Sequence, residues 1–173
     1  MRSIKNFGLL CASVVLLFGV AGCDSGPGAG DQALSFAAKD ASGEMVSLDD
    51  MQGKVVVLDF WATWCARCRL ASPYVQQLHE RYAADDRVEV IGVHWDTDYS
   101  KGEPGEYMAE HGYTYPIIPD GTEIAKTYGV WTLPQFIIVG PDGKIILRQK
   151  GFGAEDVDAF AKVIDETLAG QGG

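Results

Sequence analysis

The apolar residues of this chain form short runs that predict strands and spaced sets that predict helices. Residues 55–60 (VVVLDF) are typical of a strand buried on both faces of a sheet. Before this strand, the pattern predicts a hairpin of strands 34–38 and 45–48; after it, a helix bearing Leu70, Tyr74, Leu78 and Tyr82 on one face, and then a strand 88–93. A helix 104–111, a strand 117–118 and a helical turn 122–128 follow. The chain is predicted to end in a hairpin of strands 136–139 and 144–147 around an Asp-Gly turn, and in a C-terminal helix bearing Val157, Phe160, Ala161, Ile164 and Leu168. This order predicts an α/β domain: a mixed central sheet flanked by helices, with an N-terminal β-hairpin and a central helix-strand-helix insertion.

The first residues have a different pattern. Arg2 and Lys5 are the only charges in residues 1–22, and residues 7–20 are almost continuously apolar. This run is shorter than the roughly 20 residues that span a bilayer as a helix, and its layout is that of a secretory signal peptide. The sequence therefore predicts that the rest of the chain lies outside the cytoplasm.

Residues 20–23 (VAGC) resemble the lipobox of bacterial lipoproteins, in which the cysteine is acylated and becomes the first residue of the mature chain. The resemblance implies a lipoprotein signal peptide over 1–22 and lipidation at Cys23. The alternatives are an ordinary signal peptide or a short membrane anchor, with Cys23 incidental. Residues 23–32 are rich in Gly and Pro and are predicted to form a lipid-anchored flexible tether, followed by one domain over 33–173.

Composition and charge narrow the function classes. The chain is 47% hydrophobic and 22% charged, which describes a folded globular protein and excludes intrinsic disorder. Its net charge of −10 argues against nucleic acid as the main partner, because phosphate binding depends on Lys and Arg.

The chemistry predicted for the domain depends on one pair of cysteines. Cys65 and Cys68 form a C-x-x-C motif where the buried strand passes into a helix. Unpaired backbone N–H groups at the start of a helix favour a thiolate on Cys65, which is the nucleophile of disulfide exchange. Cys68, one turn later, is within reach to resolve a mixed disulfide.

Two other roles for the cysteine pair, a zinc site and a structural disulfide, have less support from the sequence. A zinc half-site requires four ligands, but there is no second C-x-x-C, and His79, His94 and His111 occur singly as expected of surface or packing residues. A purely structural disulfide closing so small a loop adds little stability. Neither a metal nor a cofactor is expected.

These residues also carry a family resemblance. Residues 59–68 (DFWATWCARC) resemble the active-site segment of the thioredoxin superfamily, with Pro73 where those proteins kink the active-site helix. Residues 129–134 (GVWTLP) resemble the cis-proline loop that faces the cysteines in that fold. The start of the chain, the opening hairpin and the insertion are similar to the membrane-tethered TlpA/ResA-type thiol-disulfide oxidoreductases. The resemblance implies a thioredoxin fold.

The resemblance also implies roles for the cysteines and the proline loop. Cys65 attacks the substrate disulfide and Cys68 resolves the mixed disulfide. Pro134, predicted cis, presents the backbone of Leu133, next to Thr132, to an extended substrate segment.

Two further residues take roles from the resemblance. Trp64 contacts the substrate beside the thiol; the alternative is plain packing. Asp59 stands at the position of the buried aspartate of thioredoxins, where burial raises a carboxyl pKa and suits it to accept a proton from Cys68. The alternative is a hydrogen-bonded structural carboxylate.

The sequence departs from the family at two positions. Arg67 replaces the usual proline before the second cysteine, and its charge is expected to favour the thiolate and raise the reduction potential. The alternative is that Arg67 points into solvent and does little. Ala71 stands where ResA-type proteins carry a glutamate, which makes a role in cytochrome c maturation less secure. Trp95 and Asp96 are expected near the same face.

The favoured function is that of an extracytoplasmic thiol-disulfide oxidoreductase that reduces disulfides in protein partners and is recharged by a membrane thiol electron donor. A disulfide oxidase or isomerase is the alternative that Arg67 favours. A copper-site assembly accessory ranks third, because Sco-type copper proteins space their cysteines by three residues and add a distal histidine. A binding module without redox activity is the fourth hypothesis.

Overall fold

The computed structural model describes residues 26–95 and 103–170. The predicted signal peptide, Cys23 and Asp96 lie outside the described residues. The elements follow in chain order: β1 (Ala37–Lys39), β2 (Met45–Ser47), a 3-10 turn (Asp49–Met51), β3 (Val55–Trp61), α1 (Ala66–Tyr82), β4 (Val88–His94), α2 (Pro104–His111), β5 (Ile117–Ile118), α3 (Thr122–Thr127), β6 (Gln135–Val139), β7 (Ile145–Lys150) and α4 (Ala154–Ala169).

The central sheet has the strand order β5-β4-β3-β6-β7. β3 pairs with β4 in parallel and with β6 antiparallel, so the sheet is mixed, as the sequence predicts. β1 and β2 form the separate N-terminal hairpin, and α2, β5 and α3 form the insertion, whose strand pairs in parallel with β4. This arrangement confirms the predicted fold class.

The core lies on both faces of β3, all seven residues of which are buried. On one face, α1 and α4 cover the sheet with Val75, Leu78 and Ile164 among others. On the other face, α3 and the start of the domain supply residues such as Ala125 and Leu48. Two covered faces explain the uninterrupted apolar run of β3.

The predicted face of α1 was wrong in part. Leu78 and Tyr82 are buried and Tyr74 is half-buried, but the side chain of Leu70 is 72% exposed. Residues four apart on a helix drift by about 40° per step, so four of them cannot all face one sheet. Cys68, Ala71, Val75, Leu78 and Tyr82 form the buried face instead.

The prediction of a flexible tether was wrong for residues 26–32. Gly30 donates its N–H to the Ile145 carbonyl at 2.8 Å, and Gln32 forms a bridge with Lys144. The Arg148 guanidinium donates to the Pro27 carbonyl at 2.8 Å. The segment lies along the exposed edge of β7. Its backbone therefore forms hydrogen bonds that its Gly- and Pro-rich composition does not predict.

Among the residues described, no helix combines the length and apolar character that a membrane crossing requires.

Candidate active site

Cys65 and Cys68 lie at the junction of β3 and α1. Cys65 is the N-cap residue of α1, in extended conformation, and its Sγ accepts a hydrogen bond from the Cys68 N–H at 3.1 Å. The two cysteines form a disulfide with their Cα atoms 5.2 Å apart. Cys65 is 8% exposed and Cys68 only 1%, so an incoming thiol or disulfide reaches the pair through Cys65. After reduction, the helix N-terminus stabilises negative charge on the Cys65 sulfur.

The turn before Cys65 is held by the buried His94, at the end of β4. The Thr63 N–H donates to His94 Nε2 at 3.4 Å, and His94 Nδ1 lies 3.1 Å from the Pro119 carbonyl. A proton on Nδ1 satisfies both contacts, because Nε2 then accepts and Nδ1 donates. His94 is thus a packing residue, as predicted, that also orients the turn carrying the cysteines.

The proline loop faces the cysteines because of strand register. β6 begins at Gln135, which pairs with Phe60 near the end of β3, so the preceding residue lies beside the start of the active-site turn. The Leu133–Pro134 peptide bond is cis, as predicted. Pro134 is buried, Leu133 is half-buried and Thr132 is exposed.

Arg148 of β7 supports the loop from behind. Its guanidinium donates to the carbonyls of Tyr128 and Gly129 at 2.8 and 2.9 Å, where the loop begins. Gly129 has a φ of 62°, in the left-handed region that glycine adopts without a Cβ clash. Because the Arg148 guanidinium also donates to the Pro27 carbonyl, this side chain joins the proline loop to residues 26–32.

Asp59 lies in β3, on the face whose neighbouring residues Val57 and Trp61 pack in one cluster with the cysteines. Its side chain is 2% exposed, and it makes no hydrogen bond with the residues described, which leaves Oδ1 both buried and unpaired. Burial raises the pKa of Asp59 to about 8. Among the described residues Oδ1 has no donor of the kind that the alternative, a hydrogen-bonded structural carboxylate, requires.

Further buried polar atoms surround Asp59. Gly92 pairs with Asp59 across β3 and β4, and a Cβ at Gly92 would lie 2.9 Å from Trp61 Nε1 and 3.2 Å from Tyr115 Cε2. Trp61 Nε1 and the Tyr115 hydroxyl are both buried without a hydrogen-bond partner. Burial, followed by the charge of Asp59, raises the pKa of Tyr115. A Cβ at Gly92 would therefore crowd both the Trp61 and the Tyr115 rings.

Ser72 connects this polar cluster to the second cysteine. Its hydroxyl donates to the Cys68 carbonyl at 2.9 Å, and it is close enough to the Tyr115 hydroxyl to act against the rise in the pKa of Tyr115. The hydroxyls of Ser72 and Tyr115 are not hydrogen-bonded to each other. Ser72 therefore contacts Cys68 directly and lies near Tyr115.

The outer face of the site is aromatic. Trp64, next to Cys65, is exposed, and Trp131, in the proline loop, is 59% exposed. Trp95 packs edge-on against Trp131, with ring centroids 6.4 Å apart. Trp64 is therefore exposed rather than packed, and Trp95 contacts the proline loop through Trp131.

Arg67 is exposed, and it lines a groove of about 260 Å³ together with Thr132, Leu133, Pro134, Lys150 and Gly151. Ala71, by contrast, is buried against the sheet. Over the described part of the chain, no group of three or more His, Cys, Asp or Glu side chains could hold a metal ion.

Sequence reasoning missed Tyr115, Ser72 and Lys150. Tyr115 and Lys150 lie 47 or more positions from the nearer cysteine and reach the site only through strand register. Ser72 lies one turn after Cys68, and its helical spacing was a signal that could have identified it.

Comparisons with known proteins agree with this geometry. Residues 29–148 match the AhpC/TSA family. The chain is 36% identical over 123 residues, 70% of its length and 69% of the relative's, to thiol-disulfide oxidoreductase ResA of Bacillus thuringiensis subsp. konkukian (strain 97-27). It is 36% identical over 117 residues to the thioredoxin-like protein YneN of Bacillus subtilis (strain 168), covering 67% and 68% of the two chains. A crystal structure from Chlorobium tepidum assigned to the thiol:disulfide interchange protein DsbE superposes with a TM-score of 0.72 at 31% identity, covering 82% of this chain and 99% of that one.

Proposed function

Because the chain belongs to the ResA-type thiol-disulfide oxidoreductases of the thioredoxin superfamily, we propose that it reduces disulfides in protein partners outside the cytoplasm. The observation that carries the reductive direction is the buried Asp59, on the sheet face that packs with the cysteines. A carboxylate at that position accepts the proton that Cys68 must lose before the dithiol can act as a reductant. Burial, which raises the pKa of Asp59 to about 8, makes that carboxylate a stronger base than an exposed one.

The reaction has two exchange steps. The Cys65 thiolate attacks one sulfur of the substrate disulfide, which forms a mixed disulfide and releases the first substrate thiolate. Cys68 then passes its proton to the Asp59 carboxylate and attacks the Cys65 sulfur, which closes the Cys65–Cys68 disulfide and releases the second thiolate. Two electrons pass from the protein dithiol to the substrate, and the released thiolates take up protons.

The residues around Cys65 hold the substrate during these steps. Among the residues described, no backbone hydrogen bond uses the N–H or C=O of Thr132 or Leu133, which leaves both free to pair with an extended segment. Trp64 supplies an exposed apolar surface beside the attacking sulfur. Pro134 has no N–H, so no competing backbone donor points from that position at the thiolate.

The location of the protein is part of the proposal. The charged start, apolar run and final cysteine of residues 1–23 support a lipoprotein signal peptide with acylation at Cys23. A membrane thiol donor then re-reduces the Cys65–Cys68 disulfide after each turnover.

The second candidate function, a disulfide oxidase or isomerase, is favoured by Arg67 between the cysteines. A cation beside Cys65 stabilises the thiolate and so the reduced form, which makes the pair more oxidising. The direction of electron flow therefore depends on whether Asp59 or Arg67 has the larger effect.

The reduction potential of the Cys65–Cys68 pair tests the direction. It is measured on the purified full-length chain in detergent, by tryptophan fluorescence across thiol-disulfide buffers. A value near about −270 mV, that of thioredoxin, supports the reductase, whereas about −120 to −180 mV contradicts it and supports the oxidase or isomerase. The variant Arg67→Pro is expected to have a more negative potential, and an unchanged value would show that Arg67 does not tune the pair.

A further inference from the structure

Most Lys and Arg side chains of the described residues form ion pairs with carboxylates or hydrogen bonds with backbone carbonyls. Ion pairs with carboxylates involve Lys54, Arg81, Arg87, Lys126, Lys144 and Lys162. Arg69 and Arg148 donate to backbone carbonyls. Within residues 26–95 and 103–170, Lys39, Arg67 and Lys150 are left without a carboxylate partner, and two of these three lie together beside the cysteines.

Arg67 and Lys150 line the same groove of about 260 Å³. Arg67 comes from the first turn of α1, and Lys150 is the last residue of β7, where the Gly151 N–H donates to the Pro134 carbonyl at 2.9 Å. The Thr132–Pro134 loop forms the rest of the groove. A substrate segment that pairs with this loop therefore runs between two exposed cations.

The protein as a whole is acidic, with a net charge of −10. An acidic partner is repelled by most of this surface and attracted at the groove, where the two cations lack carboxylate partners. Such a local reversal of sign orients a partner during encounter and favours substrates of the opposite charge.

We propose that this groove is a specificity site that selects protein disulfides flanked by Asp or Glu residues in an extended acidic segment. The inference rests on the proposed function, because it concerns the substrate of the same cysteine pair. Lys150 does not contact the reacting sulfurs; it selects the segment that presents them.

The experiment compares three synthetic peptides, each with one intramolecular disulfide, that carry Glu, Gln or Lys on both sides of the first cysteine. Stopped-flow tryptophan fluorescence gives the second-order rate constant for their reaction with the reduced full-length chain. We expect the Glu peptide to react about fivefold faster than the Gln peptide at low salt, and the Lys peptide to react more slowly. The preference shrinks as salt screens the charges.

Two charge-reversal variants test whether the preference for the Glu peptide comes from the groove. Lys150→Glu is expected to abolish the preference for the Glu peptide and to speed the reaction of the Lys peptide. Lys162→Glu makes the same change in net charge on the exposed side of α4, and it is expected to keep the preference. Arg67 is left unchanged, because its place between the cysteines affects their potential.

The outcomes separate the two proposals. Equal rates for all three peptides overturn the specificity site but leave the oxidoreductase intact, as does a preference that both variants alter equally. No exchange with any peptide overturns the proposed function and the specificity site with it. A preference that Lys150→Glu abolishes and Lys162→Glu keeps supports both.

Discussion

The variant Asp59→Asn tests whether the buried carboxyl is neutral in the folded protein. Asn has nearly the shape of Asp but does not ionise, so the two proteins differ only in whether residue 59 can lose a proton. In the unfolded chain the Asp59 pKa is near its ordinary value of 3.8, whereas burial raises it to about 8 in the folded protein. Between these two values the folded state holds a proton that the unfolded state has lost.

The sign and size of the effect follow from this difference in bound protons. Stability falls as pH rises wherever the folded state binds more protons, by about 1.4 kcal/mol per pH unit for one group. From about pH 4 to about pH 7, Asp59 therefore lowers the free energy of unfolding by about 4 kcal/mol. The Asn variant lacks this loss, so it is expected to match the wild type near the lower pH and to be about 4 kcal/mol more stable near the higher one.

Urea unfolding followed by tryptophan fluorescence at a series of pH values measures the difference. The oxidised protein is used, because its disulfide keeps both cysteines from titrating. Asp50→Asn, at an exposed position, serves as the control and is expected to change stability little at any pH. If the difference between wild type and Asp59→Asn stays constant across this range, Asp59 ionises as an ordinary carboxyl and the reasoning is refuted.

Two further predictions concern packing at the site and the start of the chain. Gly92→Ala places a Cβ 2.8 Å from Ile117 Cγ2, so urea unfolding is expected to show a loss of about 1–3 kcal/mol, whereas Gly105→Ala meets only ordinary contacts and keeps or slightly raises stability. Equal effects of the two glycine variants would contradict the close packing over Asp59. In bacteria that process lipoproteins, Cys23→Ser is expected to abolish incorporation of labelled fatty acid into the chain. Label that persists in this variant would contradict acylation at Cys23.

The elements that carry the cysteines could be predicted from sequence because their signals are local. The apolar run before Asp59, the C-x-x-C at the following helix start and the Leu-Pro pair before β6 each lie within a few residues of the structure they specify. Side-chain periodicity and backbone chemistry act over that range, so strand, N-cap and proline loop are recognised without knowledge of the fold.

The tertiary structure alone decided which distant residues surround the cysteines. Tyr115 reaches Asp59 because β5 pairs with β4, and Lys150 reaches the proline loop because β7 pairs with β6. The exposed position of Leu70 and the docking of residues 26–32 likewise depend on which surface each segment meets. Such contacts are set by the register and packing of strands far apart in sequence, which local pattern does not encode.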